Sequence, residues 1–94
     1  MAWLGKFFKL LRIRKIAIAI AEGSGRKVAN GMLFDDNKIR ISIGCEMLNI
    51  YYYNRKTEQK LCYSYDKAKN SFIYHPGSWE TYLVRQYKSL KTRE

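Results

Sequence analysis

The chain has 94 residues, of which 47% are hydrophobic, and its 18 Lys and Arg side chains against eight Asp and Glu give a formal net charge of +10. The aromatic and aliphatic content excludes a disordered chain, and the length favours a single domain over residues 1–94 rather than an enzyme with a deep pocket. The excess of positive charge predicts attraction to a polyanion: nucleic acid, an anionic membrane or an acidic protein surface.

Residues 3–21 carry five positive charges and no acidic side chain. Their first part places apolar side chains on one face at 100° per residue and basic side chains on the other, which predicts an amphipathic helix over residues 2–12. Continuing that helix would bring Arg14 and Lys15 onto the apolar face. Isoleucine and alanine then alternate with the period of a strand, so we predict that a strand over residues 16–22 begins the sheet.

The apolar run after Lys15 is short for an export signal, although its Ala19-Ile20-Ala21 ending resembles a cleavage site. It has six residues before Glu22, whereas a secretory signal needs roughly 7–15. No apolar run of about 18 residues exists that would predict a membrane-spanning helix. We therefore expect a cytoplasmic protein.

The middle of the chain alternates short apolar segments with turn residues such as Gly, Asn and Asp. This spacing is typical of an antiparallel meander or a small barrel. We expect a bent sheet of five or six strands, in which the strands after the first cover residues 28–34, 38–43, 47–53, 60–66 and 71–75.

The last segment predicts a helix over residues 78–91. Pro76 and Gly77 suit the centre of a turn, and Ser78 suits the N-cap that follows. Apolar side chains then recur at helical spacing from Trp79 onward, so this helix should pack on the sheet. The predicted fold is α+β, with an N-terminal amphipathic helix, the antiparallel sheet and a C-terminal helix.

Aromatic and basic side chains occur together in the second half of the chain. Three consecutive tyrosines cannot share one face of a strand, so either Tyr52 or the flanking pair Tyr51 and Tyr53 should point away from the core. Exposed tyrosines stack on bases while cations contact phosphates, although rings on strands also serve as core. The candidate residues for nucleic acid or another anionic partner are Arg26, Lys27, Arg40, Tyr52, Arg55, Lys56, Lys60, Lys67 and Lys69.

The loops at 54–59 and 66–70 should lie at opposite ends of a meander, which argues against one compact basic patch. Arg40 and Lys60 are expected to connect the two ends across one face of the sheet. The leading hypothesis is a binding module for RNA or single-stranded DNA.

Two other partners fit the same charge. One is an acidic protein surface, on which the chain would dock as an inhibitor or small subunit. The other is an anionic membrane, contacted by the helix over 2–12 through Trp3, Phe7 and Phe8. The same three side chains would instead close the core if the helix packs on the sheet through them.

Catalysis, cofactors and metals are not expected. Cys45 and Cys62 form no close-spaced motif, and the single histidine, His75, lacks the neighbours of a tetrahedral metal site. Cys62 and His75 could be neighbours on adjacent strands, but no third residue is evident that would orient them as a nucleophile and base.

Overall fold

The computed structural model describes the backbone of residues 2–55 and 57–92, and the side chains of residues 5–55 and 57–92. The six strands form one open antiparallel sheet in chain order, which confirms the predicted α+β fold in the form of a meander rather than a closed barrel. The elements are α1 (Ala2–Ser24), β1 (Arg26–Val28), β2 (Gly31–Asp35), β3 (Ile39–Ile43), β4 (Met47–Arg55), β5 (Glu58–Asp66), β6 (Ser71–Tyr74) and α2 (Trp79–Thr92).

Both helices lie on the same face of the sheet, which we call the inner face. Ile20 of α1 and Leu83 of α2 belong to one buried cluster with Ile41 and Ile50 of the central strands. The hydroxyl of Tyr63, which is fully buried in β5, donates a hydrogen bond of 2.8 Å to the carbonyl of residue 10 in α1. Because the core lies between this helical layer and the sheet, the opposite, outer face carries no described helix.

The prediction of a helix ending at residue 12 and a strand over 16–22 is wrong, because α1 is continuous to Ser24. Alternating isoleucine and alanine also satisfies a helical period, and alanine has the highest helix propensity. The buried positions in this part of α1 follow helical spacing: Ile13, Ile16, Ala17, Ile20 and Ala21.

The two charges that were expected to interrupt this helix lie on its flanks. The guanidinium carbon of Arg14 is 4.8 Å from the ring centroid of Tyr65, and Lys15 is exposed to solvent. The buried face of α1 includes Ile13 and Ile20, so both charges lie outside the core.

The predicted strand over 28–34 is a hairpin instead. β1 pairs with β2 across a turn of two residues, Ala29 and Asn30. Gly31, which begins β2, has no space for a side chain, because a Cβ there would lie 1.7 Å from the carbonyl oxygen of Ile43. The later predicted elements match β3 to β6 and α2 closely, with β4 extending to Arg55.

A β-bulge between β4 and β5 changes which residues of β5 face inward. Ile50 pairs with Tyr63 but Tyr51 pairs with Leu61, so Cys62 is the extra residue. Cys62 and Tyr63 are both fully buried, and the Cys62 thiol donates to the carbonyl of Ile50 at 3.3 Å. Because Cys62 is an extra residue, the alternation of inward and outward side chains is offset by one residue between the parts of β5 before and after it.

Neither α1 nor α2 combines the length and the apolar composition that crossing a bilayer requires.

Candidate nucleic-acid interface

The three consecutive tyrosines of β4 divide between the two faces of the sheet. Tyr52 pairs with Ile39 of β3, whose side chain is buried, so it lies on the inner face and packs against the edge of the core. Tyr51 and Tyr53 therefore lie on the outer face. The structure selects the flanking pair as the tyrosines that point away from the core, and all three side chains remain partly exposed.

Tyr52 and Tyr53 line a groove between the start of α2 and strands β3 and β4. We call it the tyrosine–cation groove. Its volume is about 700 Å³, and its wall contains Lys38, Ile39, Tyr52, Tyr53, His75, Pro76, Gly77, Ser78, Trp79, Thr81, Tyr82 and Arg85.

The charged residues in this wall are all basic. Lys38 contributes from the start of β3 and Arg85 from α2, and the described residues that line the groove include no Asp or Glu. The ammonium of Lys38 lies 5.2 Å from the ring centroid of Tyr82. A cavity with aromatic walls and cations at its edge is suited to a ligand that has flat rings and negative charge.

Asp36, a carboxylate that contacts Tyr82 of the wall, is used within the fold. It accepts hydrogen bonds from the hydroxyl of Tyr82 and from the backbone amides of Lys38 and Ile39, at 2.7 and 2.8 Å for the amides. Burial, and then the hydrogen bond to Asp36, raise the pKa of Tyr82 to about 12. Tyr82 is therefore uncharged at neutral pH and fixed in the wall of the groove.

The start of α2 forms a rigid side of the groove. The indole of Trp79, which is almost fully buried, donates to the carbonyl of His75 at 2.8 Å. Glu80 accepts hydrogen bonds from the amide of Gly77 and the hydroxyl of Tyr74, and forms an ion pair with Lys9 of α1 at 3.1 Å. The carboxylate thus joins α2 to the turn that precedes it and to α1, without lining the groove.

Comparisons with protein-family models, with curated proteins and with solved structures found no match. Within the described residues, no group of three or more His, Cys, Asp or Glu side chains could hold a metal ion. The assignment of function therefore depends on the geometry of the fold.

The structure does not gather the sequence-predicted cations into one patch. Arg26 and Arg40 lie on the outer face of the sheet, since they pair with Leu33 and Tyr51. Lys27 lies on the other face, opposite Met32.

The expected connection between Arg40 and Lys60 across one face is wrong. The bulge at Cys62 places Lys60 opposite Tyr52, on the inner face, whereas Arg40 lies on the outer face. Of the predicted cations, Lys60 is therefore the one that the pairing places beside Tyr52. Its ammonium lies 4.0 Å from the carboxylate of Glu58.

The remaining predicted cations that the structure describes lie at opposite ends of the sheet, as the meander predicted. Arg55 ends β4, whereas Lys67 and Lys69 lie in the turn between β5 and β6. Lys56 lies outside the described residues.

The aromatic side chains at the start of α1 have different environments. Phe7 is half-buried and meets Phe72 of β6 edge-on, with ring centroids 6.2 Å apart. Phe8 is 67% exposed. The side chain of Trp3 lies outside the described residues. Core closure by α1 thus comes chiefly from residues 13–21. Among the described residues of the predicted face, Leu10 packs against the core and Phe7 packs against Phe72.

Sequence reasoning missed Lys38, Tyr82 and Arg85 as site residues. Ser78, just before α2, and Tyr82 and Arg85 within it follow helical spacing beside the face formed by Trp79 and Leu83, so a second candidate face was detectable. The approach of Lys38 depends on contacts between distant parts of the chain, and no local pattern indicates it.

Proposed function

We propose that the protein binds single-stranded nucleic acid, RNA or DNA, in the tyrosine–cation groove, and that it acts by binding rather than by catalysis. The observation that supports this is the combination of aromatic walls with Lys38 and Arg85 in a cavity of about 700 Å³ whose described lining has no carboxylate.

The two kinds of side chain have separate roles in this proposal. Lys38 and Arg85 contact the phosphates, which gives affinity without sequence preference. Tyr52 stacks on a base, an interaction that contributes about 1–3 kcal/mol and tolerates any base. A base can reach a ring within a groove only when it is free of its own stack, so the proposal favours single strands over duplexes.

The groove is preorganised for such a ligand. Trp79 is fixed by His75 and Tyr82 by Asp36, so these parts of the wall are held by bonds within the protein. A rigid site loses less side-chain freedom on binding than a mobile one, which favours affinity.

Fluorescence anisotropy with a labelled single strand and its matched duplex tests the proposal. We expect the single strand to bind more tightly, with log K falling by about 0.7 per phosphate contact for each unit of log salt concentration. No binding of the single strand at low salt would contradict the proposal. Equal binding of the duplex would contradict the role of base stacking.

A second candidate function is association of α1 with an anionic membrane surface. Phe8, Arg12 and Lys15 are exposed and follow one another at helical spacing, so an apolar ring lies beside two cations on the solvent side of α1. This arrangement suits the interface of an anionic bilayer.

Co-sedimentation with vesicles that contain phosphatidylserine tests this second function. We expect Phe8→Ser to reduce binding, and Val28→Ser, which changes an exposed apolar residue on β1, to leave it unchanged. Equal binding by both variants would exclude α1 as the contact.

A further inference from the structure

A second groove lies on the inner face, at the end of the sheet where β3 turns into β4 and β5 turns into β6. The residues facing inward in the middle of the sheet, such as Ile41 and Ile50, are fully buried. One row further along, Leu48 is buried, but its partners Ile43 and Tyr65 are only partly buried. Met47, the neighbour of Leu48 in the chain, is 40% exposed. The helices therefore leave part of this row open to solvent.

The open part is a concave cavity of about 310 Å³, which we call the aliphatic groove. Its apolar wall is formed by Ile18 of α1 together with Ile43, Met47 and Leu48. Pockets for organic ligands begin at roughly this volume and are usually apolar with a few polar groups. The size is that of a ligand with a short hydrocarbon chain.

Charged side chains also line this cavity. Arg14 is positioned over the ring of Tyr65, and Lys67 and Glu46 come from the two turns. Together they contribute one net positive charge. Such a charge complements a monoanion, since a dianion would be opposed by Glu46.

We infer that the aliphatic groove binds a small amphipathic carboxylate, with its hydrocarbon chain against Ile18 and Ile43 and its carboxylate between Arg14 and Lys67. The cavity supplies apolar contact for the chain, and the guanidinium and ammonium supply charge-assisted hydrogen bonds for the carboxylate. This site is separate from the tyrosine–cation groove, and it does not depend on binding of nucleic acid.

Cys45 provides a reporter of occupancy, because it is exposed and lines the groove. Cys62 is buried, and burial raises the pKa of its thiol to about 12. A neutral reagent such as iodoacetamide should therefore modify Cys45 and leave Cys62 unmodified in the folded protein.

Octanoate is the probe, with octylammonium and acetate as controls for the chain and for the carboxylate. We expect octanoate to slow alkylation of Cys45 by about tenfold at ten times its dissociation constant. Octylammonium and acetate should leave the rate unchanged. Failure of octanoate to slow the reaction, or an equal effect of octylammonium, would overturn the inference.

Four substitutions test where the carboxylate and the hydrocarbon chain of octanoate bind. Arg14→Gln and Lys67→Gln should each weaken octanoate binding by roughly tenfold, as expected for the loss of one charge-assisted hydrogen bond. Lys69→Gln, in the same turn but outside the groove, should have no effect. Ile18→Glu should abolish protection by placing an anion against the chain.

Unreactive Cys62 in each variant verifies that the fold is intact. Equal weakening by Lys69→Gln and Lys67→Gln would show that only the overall charge matters, and this result would also overturn the inference.

Discussion

The inner face of the sheet is packed differently beneath α1 and beside the start of α2. Beneath α1, Ala17 and Ala21 are fully buried, and these small side chains let the helix approach the strands closely. Beside α2, the bulky Trp79 and Tyr82 occupy the space between the helix and the sheet, and Tyr52 stays partly exposed. The middle of α1 thus closes the centre of the core and leaves only the aliphatic groove at one end of the sheet, whereas the start of α2 leaves an aromatic groove that can accept a ligand.

The largest effect is expected on stability, from truncating a side chain in the core beneath α1. Ile20→Ala should lower the free energy of unfolding by about 2–5 kcal/mol, because it leaves a cavity between α1 and the sheet. Urea denaturation measures this change. Ile73→Ala, at a position that is 49% exposed, should change stability by no more than about 0.5 kcal/mol.

Ile20→Ala also tests whether the core beneath α1 and the tyrosine–cation groove are independent. Under conditions where Ile20→Ala remains folded, its affinity for a single strand should equal that of the unmodified protein. A large loss of affinity in folded Ile20→Ala would contradict the separation between the sealed core and the groove.

The next largest effect is expected on binding, from truncating a side chain in the tyrosine–cation groove. Tyr52→Ala should weaken binding of single-stranded nucleic acid by about 1–3 kcal/mol, the value of one stacked base, and Tyr52→Phe should retain affinity. Tyr51→Ala is the matched control, because the neighbouring ring lies on the outer face. Anisotropy titrations that find Tyr51→Ala to be the more damaging change would move the site to the outer face.

A smaller effect is expected where α1 meets β5. Tyr63→Phe removes the hydrogen bond to the carbonyl of residue 10 and keeps the ring, so it should cost about 0.5–1.5 kcal/mol of stability. Urea denaturation measures it, with Tyr51→Phe as the exposed control. A cost as large as that of Ile20→Ala would show that this hydrogen bond, rather than apolar packing, holds α1 on the sheet.

The pH dependence of stability tests the burial of Cys62. Burial raises the pKa of Cys62 from 9.0 to about 12, so the folded state holds this proton more tightly than the unfolded state does. Its contribution is therefore complete below about pH 9 and is lost as the pH rises through about 12. Urea denaturation across this range should show a shallower alkaline decline for Cys62→Ala than for the unmodified protein. Identical declines for the unmodified protein and for Cys62→Ala would contradict the burial of this thiol.

Much of the fold could be predicted because local patterns agree with it. The period of two in β3 and the turn at Pro76 and Gly77 before α2 required no knowledge of distant contacts. Residues 16–21 misled the prediction because an apolar run of isoleucine and alanine fits both a helix and a strand. Packing on the sheet decides between the two, and packing is a property of the whole chain.

The site was less predictable than the fold, for two physical reasons. The bulge at Cys62 offsets the alternation of the β5 residues before it from that of the residues after it, so the face of Lys60 could not be assigned from the pattern of Tyr63 and Tyr65. The groove also joins Lys38 to Arg85, residues far apart in sequence. Tyr52 stays a predicted binding residue, and its neighbours depend on where α2 meets the sheet.

The most direct test of the central claim compares two arginines on the helices. Arg85→Gln and Arg12→Gln remove the same charge, but only the first is in the described lining of the tyrosine–cation groove. Salt titrations of single-strand binding should show a slope of log K against log salt that is flatter by about 0.7 for Arg85→Gln and unchanged for Arg12→Gln. Equal slopes for the two variants would contradict a specific groove and leave only the net charge of the protein as the cause of binding.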